Sequence, residues 1–172
     1  MKTQPEIEQF ATLDFEASSL SENSWPIEVG LSWLVAGEVR TWSGLIRPAI
    51  EWKLADWSPH SAVVHGIPIE DLADAPHARD IARGLLEQLG GRTLVSDAPE
   101  FESRWLSRLM KAALMDVTPA IEDYHRVSFA NFSGLALDML YEALERRPVP
   151  HRAGPDSARL VHAWRTALQY SA

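Results

Sequence analysis

The chain has no cysteine among its 172 residues, which excludes disulfides and thiolate metal ligands. It is also short of positive charge: 16 lysines and arginines stand against 24 aspartates and glutamates, for a formal net charge of −8. A protein that grips a long duplex along its phosphates carries the opposite balance. No segment approaches the roughly 18 consecutive apolar residues of a membrane-spanning helix. The opening Met-Lys-Thr-Gln-Pro-Glu lacks the apolar core of a secretory signal, so a cytoplasmic protein is expected. Repeats, low-complexity tracts and interdomain linkers are absent as well. With 46% hydrophobic and 23% charged residues, the composition is that of a globular chain, and a single domain over residues 1–172 is expected.

What is there follows two periods. Residues 10–16 read as a first strand, and 27–35 alternate (Val29, Leu31, Trp33, Val35) as a second. Ala36-Gly37-Glu38 is a turn, and 39–46 return as a third strand. A loop from Pro48 to Pro59 carries Trp52 and Trp57. A short helix over 69–72 and a longer one over 76–89, ending at Gly90-Gly91, come next. Then come a strand over 92–96, a helix over 99–115, a strand over 126–130 and a helix over 132–144. In the last segment Leu160, Val161, Ala163, Trp164, Ala167 and Leu168 recur at helical spacing. Pro155 suits the first helical position there, with Gly154 as the cap. Three antiparallel strands followed by alternating helices and strands make an α/β plan with a mixed sheet.

Chemistry-bearing residues sit at both ends of this plan. Asp14 and Glu16 flank Phe15 at the end of the first strand. Residues i and i+2 of a strand share a face, so the two carboxylates point the same way. Like charges this close raise each other's pKa unless a cation lies between them. Oxygen-only ligation is what Mg²⁺ or Mn²⁺ selects. Far along the chain, His151-Arg-Ala-Gly-Pro-Asp156 opens the last helix. A helix start near 154 puts Asp156 in the first turn, where the helix dipole favours a negative charge. It leaves His151 just outside, a proton-transfer group beside a metal ligand.

Taken in order, Asp14-Phe15-Glu16, Val64-His65-Gly66-Ile67 and His151-x-Ala-x-x-Asp156 resemble the DEDDh-type 3′–5′ exonuclease family. Its members include the proofreading subunit of bacterial replicative polymerase, oligoribonuclease and ribonuclease T. The resemblance spans residues 9–169 and implies a ribonuclease H-like mixed sheet with helices on both faces. It implies two divalent ions, Mg²⁺ or Mn²⁺, held by Asp14, Glu16, Asp156 and one further acid, with His151 as general base. It also implies 5′-mononucleotides released from a single-stranded DNA or RNA 3′ end. A homodimer is compatible with it.

The further acid departs from the family pattern. In Asp97-Ala-Pro-Glu-Phe-Glu102-Ser-Arg-Trp105-Leu106, Glu102 stands where the family has aspartate. The extra methylene matters because Mg²⁺ tolerates little slack around ligand distances of about 2.0–2.1 Å. Glu102 reaches the second ion by another rotamer, or Asp97 substitutes for it, or the site is impaired; the first is the reading adopted. The third, together with the acidic surface, gives the alternative function: an exonuclease-fold protein that binds nucleotides, nucleic-acid ends or a protein without cutting.

The remaining candidates weigh less. The resemblance implies that His65 shapes the loop beside the substrate channel, and it is a candidate contact, as is Arg152; Arg146 and Arg147 share the basic loop before the last motif. Phe15 points away from the acids and reads as core, although the resemblance places it beside substrate. Trp33, Trp42, Trp105 and Trp164 read as packing residues, while Trp52 or Trp57 is free to stack on a terminal base. His60, His77, His125 and His162 have no companion at ligand spacing.

Overall fold

The computed structural model describes residues 6–171; Met1 to Pro5 of the opening segment lie outside the described residues. Five strands form one sheet: β1 (Phe10–Ala17), β2 (Pro26–Val35), β3 (Glu38–Leu45), β4 (Thr93–Ser96) and β5 (Ile121–Asp123), in spatial order β3-β2-β1-β4-β5. The β1–β2 and β2–β3 pairs are antiparallel, whereas β4 lies parallel to both β1 and β5. Between Val35 and Glu38 the hairpin turns on Ala36 and Gly37, both at positive φ (50° and 79°). That is the two-residue geometry whose twist matches a hairpin.

The described residues form six α-helices around the sheet: α1 (Pro59–His65), α2 (Ala78–Leu89), α3 (Pro99–Ala112), α4 (Tyr124–Asn131), α5 (Leu135–Arg146), which packs on α6, and α6 (Ala153–Leu168). On one face Leu13, Phe15, Val29 and Leu31 pack with Leu85 of α2 and with Trp105, Leu106 and Leu109 of α3. A second cluster joins Tyr124 and Val127 of α4, Leu140 of α5, and Leu160 and Trp164 of α6. There Trp164 stacks on Tyr124 at 4.9 Å, and its Nε1–H donates to Ser128 Oγ at 2.8 Å. This is the ribonuclease H-like mixed sheet with helices on both faces.

Several local expectations need correction. Residues 126–130 are not a strand but lie inside α4; the strand is three residues long and ends just before it, at Asp123. Asp123 caps the helix by accepting the Arg126 backbone N–H at 2.8 Å, and Tyr124, Val127 and Ser128 are buried at helical spacing. Helix α1 was not anticipated. Ser58 accepts the Ser61 N–H at 3.2 Å, Pro59 opens the helix, and Gly66 closes it at φ 65°. Finally, α6 starts one residue before Gly154, with Arg152 as its cap.

How α6 meets the sheet decides where the site lies. Its first turn crosses β2 at Gly30, where any Cβ would run into the Ala153 carbonyl. Hydroxyls then tie the two layers together. Thr12 Oγ1 donates to the Ser157 carbonyl at 2.7 Å, and Ser32 Oγ shares hydrogen bonds of 2.8 Å with Ser157 Oγ and with Thr41 Oγ1. Small residues permit the close approach, and the buried hydroxyls all find partners.

Candidate active site

The parallel pairing of β1 with β4 covers Phe10–Thr12 against Thr93–Val95 and stops there. Beyond it, the carboxyl end of β1 runs on beside an opening, the place where parallel sheets bind ligands. Asp14 and Glu16 share parity with Thr12, so they face α6. Leu13 and Phe15 take the opposite face. Because α6 crosses at Gly30, the cross-strand partner of Asp14, its first turns deliver Asp156 to the same point. Ligand oxygens of Asp14, Glu16 and Asp156 lie within 4.8 Å of one another.

Glu102, in the first turn of α3, is only 3% exposed and leaves Oε2 without a partner among the described residues. Asp156 accepts the Arg152 backbone N–H at 3.1 Å on Oδ2, while its buried Oδ1 has no partner among the described residues. Asp97 is exposed at the end of β4 and faces the same cleft.

These acids are under electrostatic stress. Burial, followed by the charges of Glu16, Asp156, Asp97 and Glu28, holds the Asp14 carboxyl well above its ordinary range. Glu16 is pushed up to about 8 by burial and then by Asp156 and Glu28, with Arg152 opposing. Burial also lifts Glu102 far above the usual range, reinforced by Asp14, Asp97 and Glu16 and opposed by the Phe15 backbone N–H. Asp156 is raised by burial against the pull of the Arg152 N–H and of the His151 and Arg159 charges. Converging carboxylates with unpartnered oxygens are the donor set of a hard divalent cation. The residues therefore fit the metal that the sequence implied.

A stability prediction follows. A carboxyl whose folded pKa is raised binds its proton more tightly in the folded state than in the unfolded one. Stability therefore falls as pH climbs from the ordinary carboxylate range, 4.5 for Glu16, through its folded value of about 8. In EDTA the melting temperature should drop between about pH 5 and pH 8, and saturating Mn²⁺ should abolish most of that drop. A flat metal-free profile would contradict the stressed cluster.

His151 sits beside this cluster on the cleft wall, exposed and at φ 54°. A non-glycine residue in the left-handed region costs about 1–3 kcal/mol and persists only where the surroundings over-determine it. Here Asp156 Oδ2 accepts the Arg152 N–H at 3.1 Å and so pins the backbone directly after His151.

The Arg152 guanidinium is turned toward the sheet, donating from Nε and Nη2 to the two carboxylate oxygens of Glu28 at 3.0 and 2.7 Å. Glu28, 4% exposed, also accepts the Ala153 N–H at 2.9 Å. Arg146 forms an exposed pair with Glu142. Glu28 was missed in the sequence, though it is the one charged residue within β2, and an acid inside a buried strand is the signal that could have found it. Arg159, on the cleft wall, was missed as well; nothing local sets it apart from other arginines on a polar helix face.

The cleft encloses about 450 Å³ and adds His65, Phe15 and the apolar side chains of Leu20, Val64, Phe101 and Val149 to these residues. His65 is 4% exposed; its Nδ1 accepts the Ile67 N–H at 3.0 Å and its Nε2 has no partner among the described residues. Phe15 is 4% exposed and belongs to the core as well as to the cleft floor. Trp52 stacks on Trp25 at 5.8 Å, and Trp57 meets His65 edge-on at 5.6 Å; neither lines the cleft. Among the described residues, no helix is long and apolar enough to cross a membrane.

No family model matches the chain, and no curated protein matches it in sequence. Solved structures do match. A 3′-exonuclease described in 3′-end-specific recognition of a histone mRNA stem-loop superposes with a TM-score of 0.68 at 19% identity, over 94% of this chain and 82% of that one. Exonuclease X in complex with 5′-overhanging duplex DNA gives 0.57 at 18% identity, over 94% and 92%. A moderately thermophilic exonuclease I from Methylocaldum szegediense gives 0.67 at 12%, this chain spanning 40% of its length. The fold carrying this acidic cleft is thus the one these exonucleases share.

Proposed function

We propose that this protein is a metal-dependent 3′–5′ exonuclease that releases nucleoside 5′-monophosphates from single-stranded DNA or RNA ends. One observation carries the reading: carboxylates from β1 and from α6, 142 positions apart at Asp14 and Asp156, converge within 4.8 Å beside His151.

Asp14 would be shared by two divalent ions, Mg²⁺ or Mn²⁺, with Glu16 and Asp156 completing the first set. Glu102, or Asp97 in its place, would serve the second. Such ions stabilise charge on the phosphate and on the departing oxygen. The protein's own part is to orient and to move a proton. The Arg152 N–H orients Asp156, and the Phe15 N–H faces Glu102. His151 takes the proton of the attacking water; imidazole is the side chain suited to that exchange near neutrality.

His151→Ala should therefore slow turnover by about 10²-fold or more, the usual contribution of a general base, while Mn²⁺ affinity is retained. Unchanged turnover would remove His151 from this role.

The decisive assay titrates Mn²⁺ and Mg²⁺ against 3′-labelled single-stranded oligonucleotides, with matched DNA and RNA. Metal-dependent mononucleotide release supports the enzyme. Binding with no release supports the non-cutting alternative, which Glu102 and the net charge of −8 favour.

A further inference from the structure

We infer that Arg159 is the anchor for a backbone phosphate of the bound strand; this rests on the exonuclease reading above. Among the described residues, Arg159 is the one lysine or arginine on the cleft wall. Of the other basic side chains near the motif, Arg152 is neutralised by Glu28 and Arg146 by Glu142, and Arg147 does not line the cleft. Arg159 is held differently. Its Nη2 donates to the Leu144 carbonyl at 2.9 Å and its Nε to the Arg147 carbonyl at 3.3 Å. These are carbonyls at the C-terminal end of α5, where the helix dipole welcomes a cation. Carbonyls orient a guanidinium without cancelling its charge. No carboxylate among the described residues forms a salt bridge with it, and Nη1 has no protein partner among them.

The result is a pre-oriented guanidinium with a free edge, on the wall of a cleft that also carries the carboxylates of Asp14, Glu16, Asp97, Glu102 and Asp156. Bound divalent ions would balance those acids at the bond being cut, but they cannot serve a neighbouring phosphate. That phosphate needs a cation of its own, and a guanidinium matches phosphate oxygens in geometry as well as charge. The chain's negative net charge makes one such contact count for more, because no broad basic field assists it.

The test compares wild type, Arg159→Met and Arg159→Lys on 3′-labelled single strands with saturating Mn²⁺ over a range of KCl. Arg159→Met should raise KM by about tenfold, the effect of losing one hydrogen bond to a charged group, with kcat changed less than about twofold. The slope of log affinity against log salt should become shallower by about 0.7, one phosphate contact to a single strand. A single methylphosphonate linkage walked along the oligonucleotide should weaken wild type at one position and leave Arg159→Met indifferent there. A fall in stability alone would move neither the salt slope nor that position.

Unchanged KM and slope in Arg159→Met, or equal methylphosphonate losses in both proteins at every linkage, would overturn the assignment. Should the Met variant fail to fold, Arg159→Lys decides. Charge retained means the slope stays at the wild-type value while KM rises, and a wild-type KM refutes a role for the guanidinium fork. If wild type releases no mononucleotide, the exonuclease reading fails by itself. Anisotropy titrations of the same oligonucleotides then apply the same slope and linkage criteria to Arg159.

Discussion

Asp14→Asn will eliminate metal-dependent mononucleotide release while making the metal-free protein more heat-stable. The two effects have one origin. Asp14 is half-buried at the centre of the cluster, and the charges of Glu16, Asp156, Asp97 and Glu28 all bear on it. The carboxamide keeps the shape of the side chain but removes the charge that a hard cation needs. Losing about 4 kcal/mol of the charge stabilisation that metal ions supply slows hydrolysis by about 10³-fold or more. Calorimetric titration with Mn²⁺ should show the tighter binding event gone. In EDTA near neutral pH the same change relieves like-charge repulsion, raising the melting temperature by about 2–4 °C for each kcal/mol relieved. That gain should shrink toward acidic pH, where the native carboxyl carries its own proton. An Asp14→Asn protein that melts lower than wild type in EDTA at pH 8 would argue that Asp14 is structurally paired, not stressed.

Gly30→Val will cost more stability than truncating an ordinary core residue. The added Cβ meets backbone on α6, the Ala153 carbonyl and the Gly154 nitrogen, so no side chain can swing aside. Overpacking against movable neighbours typically costs about 1–3 kcal/mol, and here the helix itself must lift. Lifting it breaks the hydroxyl contacts of Ser157 with Thr12 and Ser32 and withdraws Asp156 and His151 together. Urea unfolding should show a loss of about 3 kcal/mol or more. Whatever fraction stays folded should bind Mn²⁺ weakly. Wild-type stability in Gly30→Val would mean that α6 does not dock this closely.

Much of this arrangement could be read from local pattern. Alternation sets Asp14 and Glu16 on one face of β1, and the 3.6-residue period of Leu160, Val161 and Trp164 reveals α6. Both signals are short-range and both survive in the fold. Residues 126–130 misled because Val127 and Phe129 alternate as a strand would. The structure leaves Phe129 59% exposed and buries Tyr124, Val127 and Ser128 instead, a choice made by the Asp123 cap and by Trp164 across the helix interface. The Glu28–Arg152 pair joins residues 124 positions apart, and no window along the chain contains both. Arg159 becomes distinctive only through the end of α5 that it grips. Interactions closed by tertiary contact leave no periodic trace.

The hydroxyl-lined seat of α6 also fixes when the site can come into being. A nascent chain emerging from the ribosome presents Asp14, Glu16 and Glu102 long before Asp156 and His151 exist. Until α6 settles over Gly30, the carboxylates of the proposed site are not yet together. Assembly of the proposed site therefore waits on the docking of α6.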